Sequence, residues 1–130
     1  MGNRIKKIRL LIVDDSAVVR DGLCSILGSH TDFKIVGEAI DGLDAMAKAG
    51  SLHPDVILMD IQMPGKDGIE ATRYIKEHFP KIKVLLLTVH TSYIEEALVA
   101  GADGCLLKDC GREELFRAIS DAARGTVRNE

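Results

Sequence analysis

Five short apolar segments alternate with longer amphipathic stretches, and this alternation constrains the fold more than any other feature of the chain. Each segment has about five residues and is rich in Val, Ile and Leu. Unbroken apolar segments of this length are typical of strands that are buried on both faces of a parallel sheet. The segments are Arg9–Val13, Lys34–Ala39, Asp55–Met59, Lys83–Leu87 and Gly104–Leu107.

The stretches between these segments carry apolar residues at helical spacing and predict five helices. Asp41 is placed to cap the second helix, which ends at His53–Pro54, and Gly125 ends the fifth. The apolar stripes are Val19, Leu23, Ile26 and Leu27 in the first helix, Gly68, Thr72, Ile75 and Phe79 in the third, Ile94, Ala97, Leu98 and Gly101 in the fourth, and Leu115, Ala118, Ile119 and Ala122 in the fifth.

This strand–helix alternation predicts one α/β domain with a doubly wound, five-stranded parallel sheet, right-handed crossovers and helices on both faces. The 130 residues are too few for an eight-stranded barrel, which needs about 250. In doubly wound sheets the functional site lies at the carboxyl ends of the strands. The residues that follow each apolar segment are therefore the candidates for function.

Composition and charge exclude several other classes of protein. The net charge of -3, from 17 basic and 20 acidic residues, argues against a basic nucleic-acid module and against an acidic disordered tail. No segment approaches the roughly 18 apolar residues of a membrane helix, and the N-terminus lacks the pattern of a signal peptide. Cys24, Cys105 and Cys110 form no CxxC pair, which favours a reducing, cytoplasmic compartment.

Acidic residues follow two of the strands, and a threonine and a lysine follow two others. If strands 1 and 3 are neighbours, Asp14, Asp15 and Asp60 converge on one small volume. Three carboxylates there would need a cation, and ligands that are all oxygen suit Mg²⁺. A single Asp after a strand is most often a turn or cap residue. The combination of these three with Thr88 and Lys108 argues against coincidence.

These five residues together suit a phosphoryl acceptor. A carboxylate next to Mg²⁺ can attack phosphorus and form an aspartyl phosphate, and it needs no general base because it carries no proton at neutral pH. A lysine ammonium and a threonine hydroxyl can bind the phosphoryl oxygens. Phosphoryl transfer depends mainly on this positioning and neutralisation of charge.

Three other functions fit the sequence less well. A flavodoxin-like nucleotide binder would need a loop of Ser, Thr and Gly after strand 1, where Asp14 and Asp15 would repel a phosphate. A phosphatase with an aspartyl intermediate would need a second acid two residues after Asp60, where Gln62 stands. A P-loop NTPase is excluded because GxxxxGK[ST] does not occur.

The segments IRLLIVDDSAVVRDGL, DVILMDIQMPGKDGIEATRYIK, VLLLTVH and AGADGCLLKD resemble the receiver domain of two-component response regulators. The resemblance covers residues 9–125 and implies a CheY-like, flavodoxin-like sheet with strand order 2-1-3-4-5. It implies that Asp60 is the phosphorylation site and that the loop after strand 3 is shaped by Met63–Pro64 and Asp67–Gly68. It also implies a Mg²⁺ site made by Asp14, Asp15, Asp60 and the backbone carbonyl of Gln62, with Thr88 and Lys108 binding the phosphoryl group.

The segment LLKDCGREELFRAISDAARG is similar to receivers of the NarL/FixJ (LuxR-type) group. This resemblance implies a histidine kinase as partner, a possible homodimer, and a helix-turn-helix effector domain beyond residues 126–130, which would begin a linker. Residues 1–8 are expected to form a basic arm. The resemblance implies a regulatory protein that assists its own phosphorylation and dephosphorylation rather than an enzyme. The receiver itself is expected to bind neither membrane nor nucleic acid. A stand-alone or degenerate receiver that acts by protein contact remains the alternative.

The sequence departs from the receiver pattern at one position. Receivers commonly carry Tyr or Phe three residues before the lysine, where this chain has Cys105, so coupling from Thr88 is expected to differ. A small thiol at this position is most simply a buried strand residue. The resemblance further implies that Gln62 and His90, each two residues after a site residue, tune hydrolysis of the phosphoryl group.

Overall fold

The computed structural model describes residues 6–63 and 67–125, in which strands and helices alternate as the sequence predicts. All strand pairs are parallel, and the sheet has the order β2-β1-β3-β4-β5. The strands are β1 Ile8–Val13, β2 Phe33–Ala39, β3 Val56–Asp60, β4 Lys83–Thr88 and β5 Gly104–Leu107. The helices are α1 Ala17–Gly28, α2 Gly42–Leu52, α3 Gly68–His78, α4 Ile94–Val99 and α5 Arg112–Arg124.

Three predicted segments lie outside the described residues. They are most of the N-terminal arm, residues 1–5, the Pro64–Lys66 part of the loop after β3, and the linker start at 126–130. Within the described part, β1 begins at Ile8, one residue before the predicted apolar segment.

Side chains alternate between the two faces of the sheet and form two cores. On one face, Leu11, Ile57 and Leu86 pack in a cluster with Ala45 and Ile75 of α2 and α3. The opposite face forms a second cluster, in which α1 and α5 cover the sheet; its members include Leu10, Ile12, Leu58, Leu85, Leu27 and Ile119. Burial of both faces is what the continuous apolar segments predict for central strands.

The prediction of burial on both faces is right for β1, β3 and β4 and wrong for the two edge strands. All five residues of β3 are buried, whereas Lys34 and Glu38 of β2 are exposed and β5 is only half-buried throughout. An edge strand has a neighbour on one side only, so its outer residues remain open to water.

Polar caps fix where the helices begin, and left-handed residues end two of them. The side chains of Ser16, Asp41 and Asp67 each accept a hydrogen bond from the backbone N–H three residues later, at 3.3, 2.8 and 2.8 Å. His53 (φ 50°) ends α2 and Gly125 (φ 73°) ends α5. The cap predicted at Asp41 is confirmed.

The fourth helix is shorter than its predicted stripe. A 3-10 turn, Thr91–Tyr93, precedes the six residues of α4. Ala97 is buried as predicted, but the Leu98 side chain is 51% exposed. With so few residues the helix contributes little more than one buried position, so the inward placement of Leu98 was wrong. Among the described residues, no helix is long and apolar enough to cross a membrane.

Candidate functional site

The three predicted carboxylates meet at the carboxyl edge of the sheet. Val13 of β1 pairs with Met59 of β3. Asp14 and Asp60, which follow these two residues, therefore lie side by side. One oxygen each from Asp14, Asp15 and Asp60 lies within 4.8 Å of the others. Asp14 and Asp60 are 1% and 6% exposed, while Asp15 is open to water. Adjacency of β1 and β3 therefore produces the cluster on which the sequence analysis depended.

The Asp14 carboxylate is held in place by its own turn and by α1. Its Oδ1 accepts from the Ser16 N–H at 2.9 Å, and its carbonyl accepts from Nη1 of Arg20 at 2.7 Å. Nε of Arg20 in turn pairs with Glu38 of β2 at 3.0 Å. Arg20 was not predicted from the sequence, because the ion pair with Glu38 that orients it depends on packing of α1 against β2, which leaves no local pattern.

Lys108 joins the two buried carboxylates. Its Nζ lies 3.1 Å from Oδ2 of Asp60 and 3.3 Å from Oδ2 of Asp14. The Lys108 backbone N–H donates to the Thr88 carbonyl at 2.8 Å, which extends the pairing of β5 with β4 by one residue. The lysine is therefore fixed by backbone and side chain at the centre of the predicted set.

Burial and charge oppose each other at this ion pair. Burial raises the pKa of Asp60, and repulsion from Asp14 adds to this, although Lys108 and the Gln62 N–H act in the opposite direction. Burial alone would lower the pKa of Lys108, but the hydrogen bonds and charges of Asp60 and Asp14 raise it above its ordinary value. The two carboxylates therefore favour the charged form of the lysine, whereas burial disfavours the charged form of Asp60.

Thr88 is fully buried at the end of β4, and its hydroxyl bonds to the loop that follows. The Thr88 Oγ1 accepts from the His90 N–H at 3.1 Å and lies 3.2 Å from the His90 carbonyl, to which its hydroxyl can donate. At the same edge of the sheet, the Ile61 N–H donates to the Leu87 carbonyl at 3.0 Å. Thr88 thus lies beside the acidic cluster while its hydroxyl is bonded to the backbone of the β4–α4 loop.

Gln62 connects the acidic cluster to the start of α4. Its N–H donates to Oδ1 of Asp60 at 3.1 Å, and its Nε2 donates to the phenol oxygen of Tyr93 at 3.2 Å. The rings of Tyr93 and His90 are 6.1 Å apart. Gln62 and Tyr93 border an open cavity of about 420 Å³, whose other described lining residues are Ile61, Met63, Asp67, Ile69 and Glu96.

Gly68 allows α3 to begin directly against the acceptor strand. A Cβ at this position would lie 2.4 Å from the Asp60 carbonyl oxygen and 2.9 Å from the Ile61 Cα. The Gly68 N–H donates to the Ile61 carbonyl at 2.9 Å, which closes the loop. Only a residue without a side chain fits this approach of helix to strand.

Cys105 lies in β5 on the face of the sheet that α2, α3 and α4 cover. It is half-buried and packs against the same core cluster as Tyr93. Burial raises the pKa of its thiol, which leaves little of the reactive thiolate at neutral pH. Cys105 is therefore a strand residue, as expected, but it is half-buried rather than buried.

The donor set fits a hard divalent cation. Asp14, Asp15 and Asp60 offer only oxygen ligands, and the partial exposure of the cluster leaves room for water. Mg²⁺ is bound in proteins by one or two carboxylates together with water and phosphate oxygens. No cysteine or histidine belongs to this cluster, so the chemistry does not favour zinc or another soft metal.

Comparisons with known proteins agree with this arrangement. The family model of the response regulator receiver domain matches residues 10–120. The chain is 46% identical over 121 residues to the uncharacterized transcriptional regulatory protein YxjL of Bacillus subtilis, covering 92% of this chain and 56% of that protein. It is 45% identical over 123 residues to the response regulator VraR of Staphylococcus aureus, covering 91% and 57%. The chain therefore spans little more than half the length of these relatives.

A solved structure shows the same architecture. The signal receiver domain of NarL from Mycobacterium tuberculosis superposes with a TM-score of 0.88 at 35% identity, over 92% of this chain and 98% of that domain. The sheet order and the number of helices agree with those that the sequence led us to expect.

Proposed function

The chain belongs to the response regulator receiver family of two-component signalling, and from this premise we propose that Asp60 is its phosphorylation site. The observation that carries the proposal is the convergence of Asp14, Asp15 and Lys108 on the Asp60 carboxylate at the carboxyl edge of the sheet. Burial of Asp60 also raises the energy of its charge before reaction.

The proposed reaction moves a phosphoryl group from a phosphohistidine of a histidine kinase to Asp60. A carboxylate oxygen of Asp60 forms a bond to phosphorus while the bond from phosphorus to the imidazole nitrogen breaks. The nitrogen keeps the electron pair and takes up a proton from water. Lys108 would hold the reacting oxygens in line and offset the negative charge on the phosphoryl group.

Mg²⁺ is the proposed cofactor, held by Asp14, Asp15, Asp60 and the backbone carbonyl of Gln62. When bound, it would neutralise negative charge on the carboxylates and on the phosphoryl oxygens. The fixed position of Asp14, set by Ser16 and Arg20, supports this assignment, because a ligand with a locked orientation loses little entropy on binding.

Thr88 and Lys108 are proposed to report that the phosphoryl group has arrived. The Thr88 hydroxyl would exchange its bond to the His90 carbonyl for a bond to a phosphoryl oxygen, and Lys108 would pair with the new charge. The phosphoryl group can favour the active conformation only to the extent that these bonds are stronger there. Because Cys105 has no ring that could move inward, we propose that this signal leaves the site by a route other than residue 105.

Gln62 and His90 are proposed to tune how long the phosphoryl group survives. Both are exposed; Gln62 lies next to the acceptor and His90 is bonded to Thr88, so their side chains can control the approach of water. A His90→Ala variant is therefore expected to change the rate at which the phosphoryl group is lost. An unchanged rate would contradict this role.

We propose that the domain, residues 9–125, acts in the cytoplasm and controls transcription. The partners would be a histidine kinase and a helix-turn-helix effector domain, with a homodimer as a possible phosphorylated form. The names of YxjL and VraR, which are a transcriptional regulator and a response regulator, support this proposal. The half-buried, unpaired state of all three cysteines suits a reducing compartment. The family is regulatory, and the proposed chemistry acts on the protein itself.

Intact mass spectrometry tests this proposal. The protein is incubated with a small phosphodonor and Mg²⁺, in parallel with EDTA and with Asp60→Asn. We expect one phosphoryl group on the parent protein and none in either control. A parent protein that binds Mg²⁺ but gains no mass from a donor or from a histidine kinase would instead support a degenerate receiver that acts by protein contact.

A further inference from the structure

A continuous path of hydrogen bonds joins the acceptor carboxylate to the switch threonine, and it passes through Tyr93. From Asp60 the path runs through the Gln62 N–H at 3.1 Å and from the Gln62 amide to the Tyr93 phenol oxygen at 3.2 Å. The Tyr93 N–H donates to the His90 carbonyl at 3.5 Å, and the His90 N–H donates to Thr88 Oγ1 at 3.1 Å. Tyr93 is the last residue of the 3-10 turn and directly precedes α4.

We propose that Tyr93 is a positioning residue that couples Asp60 and Thr88 to the start of α4, with its phenol hydroxyl holding the Gln62 side chain. This inference rests on the proposed phosphorylation of Asp60. It assigns the aromatic part of the switch to the turn before α4 rather than to β5.

The two ends of the path change when a phosphoryl group arrives. The Thr88 hydroxyl has one hydrogen, so a bond to a phosphoryl oxygen removes its bond to the His90 carbonyl, which also accepts from Tyr93. At the other end, modification of the Asp60 carboxylate alters the oxygen that accepts from the Gln62 N–H. Tyr93 is the residue at which both changes meet.

The surroundings of Tyr93 allow its ring to respond. The ring is half-buried, packs against the same core cluster as Cys105, and borders the open cavity of about 420 Å³ beside the acceptor loop. A ring at this position has core contacts on one side and free space on the other. The thiol of Cys105, by contrast, has neither the size nor the hydroxyl to reach the site.

A double-mutant cycle tests whether Tyr93 acts through Gln62. Tyr93→Phe removes only the hydroxyl, and the freed Gln62 amide can then hydrogen-bond to a water that attacks phosphorus. We expect phosphoryl loss from Asp60 to become roughly two- to tenfold faster, the range of one net hydrogen bond. In a Gln62→Met background the same substitution should have no effect. Tyr74→Phe removes the only other tyrosine hydroxyl of the chain and should decay at the parental rate.

The outcomes separate this inference from the proposed function. If the parent protein gains no phosphoryl group, the proposed function fails. If the parent is phosphorylated but Tyr93→Phe decays at the parental rate, or still accelerates decay in the Gln62→Met background, the inference on Tyr93 fails alone.

A spectroscopic measurement on the unaltered sequence gives the second test. The chain has two tyrosines and no tryptophan, so fluorotyrosine labelling gives two ¹⁹F resonances, which Tyr74→Phe assigns. Phosphorylation should shift the resonance of Tyr93 and leave that of Tyr74, which stacks on His78 in α3, close to its original position. A Tyr93 resonance that does not move would overturn the proposal.

Discussion

Replacing Asp60 by Asn should stabilise the metal-free, unphosphorylated protein, although it removes the Asp60–Lys108 ion pair. The Asp60 side chain is 8% exposed and shares its site with two other carboxylates. Removal of its charge ends the repulsion from Asp14 and Asp15 and the cost of burying an ionised group. It also removes the attraction between Asp60 and Lys108. The difference in stability between the two proteins therefore measures the net electrostatic cost of an ionised Asp60 in the folded site.

The structure sets the size of the effect. At an effective dielectric constant of about 20, two carboxylates 4.8 Å apart repel by about 3.5 kcal/mol. An ammonium 3.1 Å from Asp60 attracts it by about 5.4 kcal/mol on the same scale. Repulsion by Asp14 thus offsets most of this attraction, and the exposed Asp15 adds a smaller repulsion that solvent screens. The cost of burying the ionised group, which is the largest influence on the pKa of Asp60, outweighs what remains of the attraction.

We therefore expect Asp60→Asn to raise the free energy of unfolding by about 1–2 kcal/mol near neutral pH, or Tm by roughly 3–8 °C. The pKa of Asp60 is raised in the folded protein, so the folded state binds a proton more tightly than the unfolded state does. The parent protein then gains stability relative to Asp60→Asn as the pH falls through the folded pKa. The advantage of Asn should be largest near neutral pH and shrink in acid.

Urea unfolding in EDTA, at about pH 7 and about pH 4, measures both effects. The exposed Asp32→Asn serves as a matched control and should change stability by less than about 0.5 kcal/mol at either pH. Addition of Mg²⁺ should stabilise the parent protein more than Asp60→Asn. If Asp60→Asn is no more stable than the parent near neutral pH, the Lys108 ion pair outweighs the repulsion and the electrostatic reasoning fails.

Three further predictions follow from single contacts. Gly68→Ala should lower the free energy of unfolding, measured in urea, by about 1–3 kcal/mol, because its Cβ would meet the Asp60 carbonyl. Gly22→Ala is the control, since open space surrounds Gly22, and it should not destabilise α1. An equal loss of stability in both variants would refute the reasoning. Lys108→Met should lower the free energy of unfolding by about 2 kcal/mol near neutral pH, because it leaves Asp60 unpaired. Adding Asp60→Asn should restore most of this loss in the same assay, and no recovery would contradict the pairing. Burial, together with the nearby Glu38, raises the pKa of the Cys24 thiol to about 11. Alkylation of Cys24 by iodoacetamide at about pH 8, followed by peptide mapping, should therefore be roughly a hundredfold slower than alkylation of free cysteine. An equal rate would show that the thiol is not buried.

The central part of the fold could be predicted from the sequence because its signals are local. Strands that are buried on both faces need unbroken apolar segments, and these identified β1, β3 and β4. Parallel strands bring their carboxyl ends to one edge, so Asp14, Asp15 and Asp60 could be placed together once β1 and β3 were taken as neighbours.

The residues that escaped prediction depend on contacts between distant elements. The ion pair that orients Arg20 beside Asp14 forms with Glu38 only because α1 packs beside β2. Tyr93 reaches Gln62 only because α4 begins next to the residues that follow β3. Neither contact leaves a periodic pattern in the chain. Leu98 shows the converse case: its spacing predicted burial, but the short α4 leaves it exposed.

The most direct test of the central claim is to locate the phosphoryl group chemically. Borohydride reduces the acyl phosphate of an aspartate to homoserine, and peptide mass spectrometry then identifies the modified position. After treatment with a phosphodonor and Mg²⁺, the account predicts homoserine at position 60 and unaltered aspartate at positions 14 and 15. Homoserine at position 14 or 15, or none at all in a protein that has gained a phosphoryl group, would contradict the assignment of Asp60 as the acceptor.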